Sequence, residues 1–421
     1  MNSKLQTPEQ VHGRKTVAFT CAAVNYLPKV RKLFASIRQH HPEFELVLAL
    51  ADELPSHLRL QESTIDRVLT PHDLNISNLR QWIFFHDIVE LSTAIKPFVL
   101  KKLLNEPGVD RVIYFDPDMI LFSRVDDILE ILDSHNIALT PHQVVPESTL
   151  DAIRDNEIAS LKHGVFNLGF IAVNNTEESK RFAAWWAERL YHFCVSDIPN
   201  GLFTDQKWMN FAPIFFNGVH ILKSPRFNVA TWNLTTRKLT GGFDDGFTVN
   251  GEPLGFYHFT GFDSGEHRTM AVKNGSESPA VFELIRWYEQ QTKDDENDPL
   301  SKLIWGFANF NDGSKIPKDV RNLYRARLDL RRAFPDPFST TTRKNFKWWV
   351  DQELATLEVA RAPGVDTALP LPRRSGVRRV QEAAVRYWGE QGYREQIHKT
   401  MKSIFKYEGL GALIRYVFNR R

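Results

Sequence analysis

The sequence is poor in cysteine: two residues, Cys21 and Cys194, among 421. Two thiols form neither a disulfide framework nor a four-thiolate zinc site, so a reducing compartment is expected. Long apolar runs are missing too. Nowhere does an uncharged apolar stretch approach the roughly 20 residues that span a bilayer, and MNSKLQTPEQVHGRK at the N-terminus holds no apolar signal core. A cytoplasmic protein with a flexible N-terminus over 1–15 is therefore expected. No internal repeat, no low-complexity tract and no nucleic-acid-binding motif appears. What is present, 42% hydrophobic, 12% aromatic and 25% charged residues, describes a folded chain and excludes a wholly disordered one.

Charge is divided unevenly. Residues 301–421 carry 24 Lys and Arg against 12 Asp and Glu, which leaves 29 basic and 39 acidic side chains in residues 1–300. The acidic and basic parts suggest separate tasks, the basic one favouring an anionic partner.

Near-continuous apolar runs at 16–24, 45–52, 65–71, 111–115, 136–142, 165–175 and 218–225 read as strands. Helical spacing appears at 28–40, 86–105 and 177–195. Strands that are apolar throughout and alternate with helices predict an α/β fold, a parallel sheet covered on both faces. The stretch 240–265 reads as loop and short strand. From 276 onward the pattern turns helical, interrupted by a Pro/Arg-rich connection at 361–379. The expected organisation is an α/β domain over 16–275 and a basic helical region over 276–421.

One strand ends in an unusual way. In RVIYFDPDMI the apolar run stops at Asp116, passes Pro117 and adds a second carboxylate at Asp118. Ligands of open parallel sheets gather at the carboxyl ends of strands, and paired carboxylates suit Mg²⁺ or Mn²⁺ shared with substrate phosphates. The pair could also cap the following turn. A third reading is an aspartate-nucleophile phosphatase, with Asp116 attacking and Asp118 acting as acid. That motif usually lies on the first strand and carries Thr or Val where Ile120 stands.

Four further stretches accompany the aspartates: Asn25-Tyr26 after the first strand, F-N-x-G in VFNLGF (Asn167, Gly169), D-Q in FTDQKWMN (Asp205, Gln206), and H-x-x-G in YHFTG (His258, Gly261). In this order the set resembles the nucleotide-sugar glycosyltransferases of family 8, the glycogenins and the bacterial lipopolysaccharide galactosyl- and glucosyltransferases. The resemblance covers roughly residues 16–270.

It implies a Rossmann-like GT-A domain and a retaining transferase that moves a hexose from a UDP-sugar to a glycan or lipid-linked acceptor, as in bacterial surface polysaccharide synthesis. Asp116, Asp118 and His258 would bind Mn²⁺ (or Mg²⁺). Asn25 and Tyr26 would contact the nucleotide, Lys96 the donor, and Asn167 and Gly169 the sugar. Asp205 and Gln206 would lie beneath the ring, and Gly261 would let a backbone amide approach the diphosphate. An aspartate that often precedes the Asn-Tyr pair is absent, since positions 22–24 are Ala, Ala and Val. The amphipathic, basic stretch 394–421 can lie on an anionic membrane surface, giving peripheral contact with its inner face. A rival outside enzymology is a catalytically silent sugar-nucleotide-binding scaffold at a membrane.

Overall fold

The computed structural model describes residues 13–54 and 64–361. The described residues up to Val350 form one compact unit, and residues 351–361, the end of a helix running Phe346–Arg361, fall outside it.

Seven strands make the main sheet: β1 Thr16–Ala22, β2 Glu45–Leu50, β3 Arg67–Leu69, β4 Arg111–Phe115, β6 Ile137–Pro141, β7 Phe166–Asn174 and the strand Val219–Ile221. Their order is Val219–Ile221, β6, β7, β4, β1, β2, β3. β1 runs parallel to β2 and β4, and β2 to β3, but β7 is antiparallel to both of its neighbours, β4 and β6. The sequence gives no hint of that reversal, because a strand buried on both faces is apolar throughout in either direction.

Successive residues of these strands enter two separate cores, as the pleat requires. Val17, Phe19, Val112 and Tyr114 pack with Trp82, Leu91, Val99, Leu103 and Trp186. Ala18, Ala22, Ile113 and Phe115 pack with Val30, Leu33, Phe34, Ile37, Ile128 and Leu132. Helices therefore cover both faces of a mostly parallel sheet, as expected. The stretch anticipated as one helix at 86–105 is two, Ile88–Ala94 and Lys96–Leu104. Asp87 caps the first by accepting Glu90 N, and Pro97 opens the second, where its missing N–H costs nothing.

The 240–265 stretch holds a small antiparallel sheet of Leu239–Gly242, Gly246–Val249 and Glu252–Pro253, and then the strand Phe256–His258. The segments after 276 are helical at Pro279–Thr292, Lys318–Ala326, Leu328–Ala333 and Phe346–Arg361. Up to Val350 they belong to the compact unit, and Trp305, Phe307, Tyr324 and Phe346 join the same core as Val17 and Phe19. The 361–379 connection past Arg361 and the basic stretch 394–421 lie outside the described residues, as do residues 1–12. No helix among the described residues is long and apolar enough to cross a membrane.

Candidate functional site

Backbone pairing assembles the acidic site. β4 ends at Phe115, and the Asp116 amide still donates to Gly169 O of β7 at 2.7 Å, so the β4–β7 ladder fixes the first carboxylate. After Pro117 the chain forms β5, Met119–Leu121, which pairs antiparallel with Phe256–His258 and sets His258 opposite Met119. The Phe259 amide donates to Asp118 O at 2.9 Å and the His258 amide to Val229 O at 2.8 Å. A residue 140 positions away in sequence is thereby held by main-chain bonds beside the aspartates. His258 Nε2 lies 3.1 Å from Asp118 Oδ1 and 3.7 Å from Asp116 Oδ2. One ligand atom from each of the three residues falls within 4.8 Å of the others.

Two carboxylates and an imidazole at this spacing fit Mn²⁺ or Mg²⁺. Burial pushes the Asp118 carboxyl up, but His258 and Lys29 overcome it and hold it below the usual carboxylate range. For His258, burial opposes the imidazolium, while the Asp118 charge and hydrogen bond raise its pKa above the ordinary imidazole value. Without a metal the two carboxylates thus favour the imidazolium form of His258, and a metal ion would take the place of that proton. Its Nδ1 is buried without a hydrogen-bond partner among the described residues, and its ring meets the Trp232 ring edge-on at 5.5 Å between centroids.

Gly169 belongs to this assembly for a steric reason. A Cβ there would lie 2.6 Å from His258 Cε1 and 2.7 Å from Met119 Cε, distances at which something must move. Gly169→Ala should therefore displace His258 and weaken Mn²⁺ binding at least tenfold, a change that isothermal titration of metal into the two proteins would register. Equal affinities would show that the ring relaxes freely.

Lys96 is placed differently from what a helical lysine suggests. It is 3% exposed, with Nζ 2.9 Å from Asp205 Oδ2 and 3.3 Å from Asp116 Oδ1, and it donates to Leu168 O at 3.1 Å. The ammonium sits 4.3 Å from the Tyr114 ring centroid, and the Tyr114 hydroxyl donates to Asp116 Oδ1. Burial disfavours the charged lysine, yet Asp116 and Asp205 together raise its pKa. Burial likewise pushes the Asp205 carboxyl up, and Lys96 is the main group that holds it down. Asp205 and Lys96 thus form a buried ion pair whose ammonium also contacts Asp116.

Asn167 and Gln206 are also enclosed, at 7% and 8% exposure. Gln206 Oε1 accepts from Leu168 N at 3.1 Å and Asn167 Nδ2 at 3.4 Å, while its Nε2 donates to His163 O at 3.2 Å. Asn167 Oδ1 accepts from Gly169 N at 3.2 Å and Asn228 Nδ2 at 3.1 Å. Both amides are held in one orientation by backbone groups, as preorganised sites require.

At the ends of β1 and the 258–265 loop, Tyr26 OH donates to Asp263 Oδ2 at 2.8 Å. Asn25 Oδ1 is buried with no hydrogen-bond partner among the described residues. Gly261 adopts φ +69°, a left-handed conformation that favours glycine, and its carbonyl accepts from the His267 amide at 3.1 Å. The sequence reading missed Tyr114, Asn228, Lys29 and Asp263. Only Asp263 carried a local hint, its place two residues after H-x-x-G.

A second trio, His41, Glu43 and Asp126, also gathers within ligand distance. Arg124 occupies it, pairing with Glu43 at 2.9 Å and Asp126 at 2.7 Å, and His41 Nε2 accepts from Val125 N. It is an ion-pair cluster with its cation in place. The phosphatase reading gains no support from the geometry, because Asp118, held ionised by His258, is a poor acid.

No protein-family model matches the sequence. Two Bacillus subtilis (strain 168) proteins are similar, both described as uncharacterized. YfnD is 26% identical over 252 residues, 58% of this chain and 76% of its own. YfnF is 28% identical over 208 residues, 48% of this chain and 67% of its own. Among solved structures, galactosyltransferase LgtC in complex with donor and acceptor sugar analogues aligns with 62% of this chain and 96% of that chain, at 17% identity and a TM-score of 0.36. The glycosyltransferase GlyE of Streptococcus pneumoniae TIGR4 aligns with 52% of this chain and 48% of that chain, at 15% identity and a TM-score of 0.32.

Proposed function

We propose that this chain is a metal-dependent glycosyltransferase of the GT-A arrangement, moving a hexose from a UDP-sugar to a glycan or lipid-linked acceptor. The observation that carries the reading is the trio of Asp116, Asp118 and His258 within 4.8 Å at the carboxyl end of a central strand. Those three residues would hold Mn²⁺ or Mg²⁺, which supplies positive charge to a departing diphosphate.

The chain's own residues do the rest. Lys96 keeps Asp116 and Asp205 fixed and charge-balanced. Asn167 and Gln206 present oriented amide dipoles, neutral groups that tolerate an oxocarbenium-like sugar. In transfer the bond from the anomeric carbon to the diphosphate oxygen breaks and one to the acceptor oxygen forms. The acceptor proton passes to the departing phosphate oxygen. With Gln206 Oε1 already accepting two hydrogen bonds, a covalent sugar–enzyme intermediate on that amide is disfavoured, which supports a front-face route for a retaining transfer. Peripheral contact of 394–421 with an anionic membrane remains part of the proposal. It fits a lipid-linked acceptor in bacterial surface polysaccharide synthesis.

The deciding experiment is a panel of UDP-, GDP- and dTDP-sugars scored for Mn²⁺-dependent hydrolysis and thermal stabilisation. A response to UDP-sugars that disappears with chelator supports the reading, and no response to any donor overturns it.

The pH dependence has a definite sign. His258, with its raised pKa, stabilises the metal-free fold fully below pH ~6.5, and that contribution is lost as pH rises through its folded value. A metal needs Nε2 deprotonated, so Mn²⁺ binding should release a proton and tighten as pH rises from 6 to 8. Titrations in two buffers of different ionisation enthalpy would reveal the proton. A pH-independent affinity would remove His258 from the ligand set.

A further inference from the structure

Lys29, near the start of the helix Leu27–His40, is a buried cation with an exposed partner. The lysine side chain is 10% exposed, whereas that of Asp263 is 57% exposed. One carboxylate oxygen, Asp263 Oδ2, receives both Lys29 Nζ at 2.5 Å and Tyr26 OH at 2.8 Å. The ammonium also lies 4.7 Å from the Tyr26 ring centroid. Such an asymmetric pair has an immobile half and a replaceable one. Lys29 is largely shielded from water and reaches it only through a cleft, so its charge favours an anion beside it. Asp263 can turn into solvent at little cost, since exposed carboxylates are well hydrated.

The surroundings indicate which anion would replace it. Asn25, Tyr26, Lys29 and Asp263 line a cleft of ≈ 400 Å³ together with Asp295, Glu296 and Lys302. Asp295 is paired with Lys32. The seat is tied to the metal trio through the chain: Asp263 stands five residues after His258, and the intervening Phe259 amide donates to Asp118 O at 2.9 Å. An anion on Lys29 would therefore lie against Tyr26, at the loop that leads back to His258. A nucleotide-sugar keeps its phosphates between base and sugar.

We infer that the Lys29 ammonium and the Tyr26 hydroxyl form a seat for the diphosphate of a nucleotide, and that Asp263 occupies it as a built-in competitor displaced when donor binds. The inference rests on the glycosyltransferase reading for the source of the diphosphate. The Asp263 carboxylate offers one oxygen and one charge where a diphosphate brings several of each and can be shared with a divalent ion, so displacement is favoured only when metal and nucleotide arrive together. Metal-free protein, or the free sugar, leaves the seat closed.

Isothermal titration of UDP in the presence of Mn²⁺ into the full chain and five variants tests this. Asp263→Asn should tighten UDP about five- to tenfold, the range for removing one charge-assisted hydrogen bond from a competing state. Glu266→Gln, which removes an exposed charge from the start of the helix that follows the loop, should change it by less than about twofold. Lys29→Met should weaken UDP about tenfold or more, and in the Lys29→Met background Asp263→Asn should bring no gain. Unchanged or weaker binding by Asp263→Asn would make Asp263 a support for Lys29 and overturn the inference. So would an equal gain in the Lys29→Met background, which would reduce the effect to bulk charge. Asp118→Asn and pyrophosphate keep the two claims apart. If pyrophosphate with Mn²⁺ shows the Asp263→Asn gain while UDP binds nowhere, the seat stands and the glycosyltransferase reading falls. If UDP binds in a manner sensitive to Asp118→Asn but indifferent to Asp263 and Lys29, the reading stands and the seat falls. If neither ligand binds, both fall.

Discussion

Asp118→Asn should lower Mn²⁺-dependent transfer from a UDP-sugar by about 10²–10³-fold, the loss seen when one preorganised electrostatic group is removed from a transition-state site. The melting temperature should stay within a few degrees. Asparagine matches the shape of aspartate and can still accept the hydrogen bond that His258 Nε2 makes to Asp118 Oδ1 at 3.1 Å. What disappears is a full negative charge, one that His258 keeps ionised against the effect of burial. Metal affinity therefore falls, and with it the countercharge available to a departing diphosphate. Initial rates at saturating and subsaturating Mn²⁺ separate the two losses: weaker metal binding is recovered at high Mn²⁺, misplaced charge is not. An Asp118→Asn protein with near wild-type transfer would sink the proposed role of the trio.

How much of this was legible beforehand depends on whether the signal was local. The carboxylates could be found because an apolar strand, Val112–Phe115, ends abruptly in two charges, and the H-x-x-G and F-N-x-G stretches could be found because each is short and contiguous. Their convergence is less local. It depends on β5 pairing with Phe256–His258 and on Asp116 N reaching Gly169 O, main-chain bonds that leave no residue-specific mark. Gly169 looked like a contact for a sugar; its Cβ position is filled by His258 and Met119, a fact of packing between segments some 90 and 50 residues apart.

The direction of β7 was invisible for a related reason, since burial on both faces imposes the same composition on parallel and antiparallel strands. The helices after residue 276 were legible as helices. Their membership in the core was not, because Trp305 joins it through an indole N–H donated to Ala51 O at 2.9 Å and Gly306 N through Asp52 Oδ1 at 2.7 Å. These are single long-range bonds with no periodic pattern behind them. Lys96 is the sharpest instance: a lysine in a helix is most often solvated, and nothing in KPFVLKKLL distinguishes the first lysine from the two exposed or half-exposed ones that follow.

Lys96→Met should destabilise the protein by about 3–5 kcal/mol, the range for deleting one partner of a buried ion pair. Methionine fills nearly the same volume, so a cavity contributes little. The cost arises because Asp205, 3% exposed, loses the cation 2.9 Å away that holds its carboxyl down. Asp116 loses a 3.3 Å contact as well, but it retains the Tyr114 hydroxyl and His258. Two features distinguish this from ordinary loss of packing. First, a buried carboxyl whose folded pKa lies above its unfolded value destabilises the fold only while ionised, so the penalty grows as pH rises from the unfolded to the folded pKa. Denaturant melts should show Lys96→Met closer to wild type at pH 5 than at pH 8. Second, Lys96→Met combined with Asp205→Asn removes both charges and should recover much of the stability, since replacing a whole buried pair is often near neutral. Recovered stability without recovered transfer would assign Lys96 a positioning role toward Asp116 beyond its support of the fold. A penalty that is the same at both pH values and unaffected by Asp205→Asn would show that the lysine acts through its methylenes, and the charge network beneath the acidic site would have to be discarded.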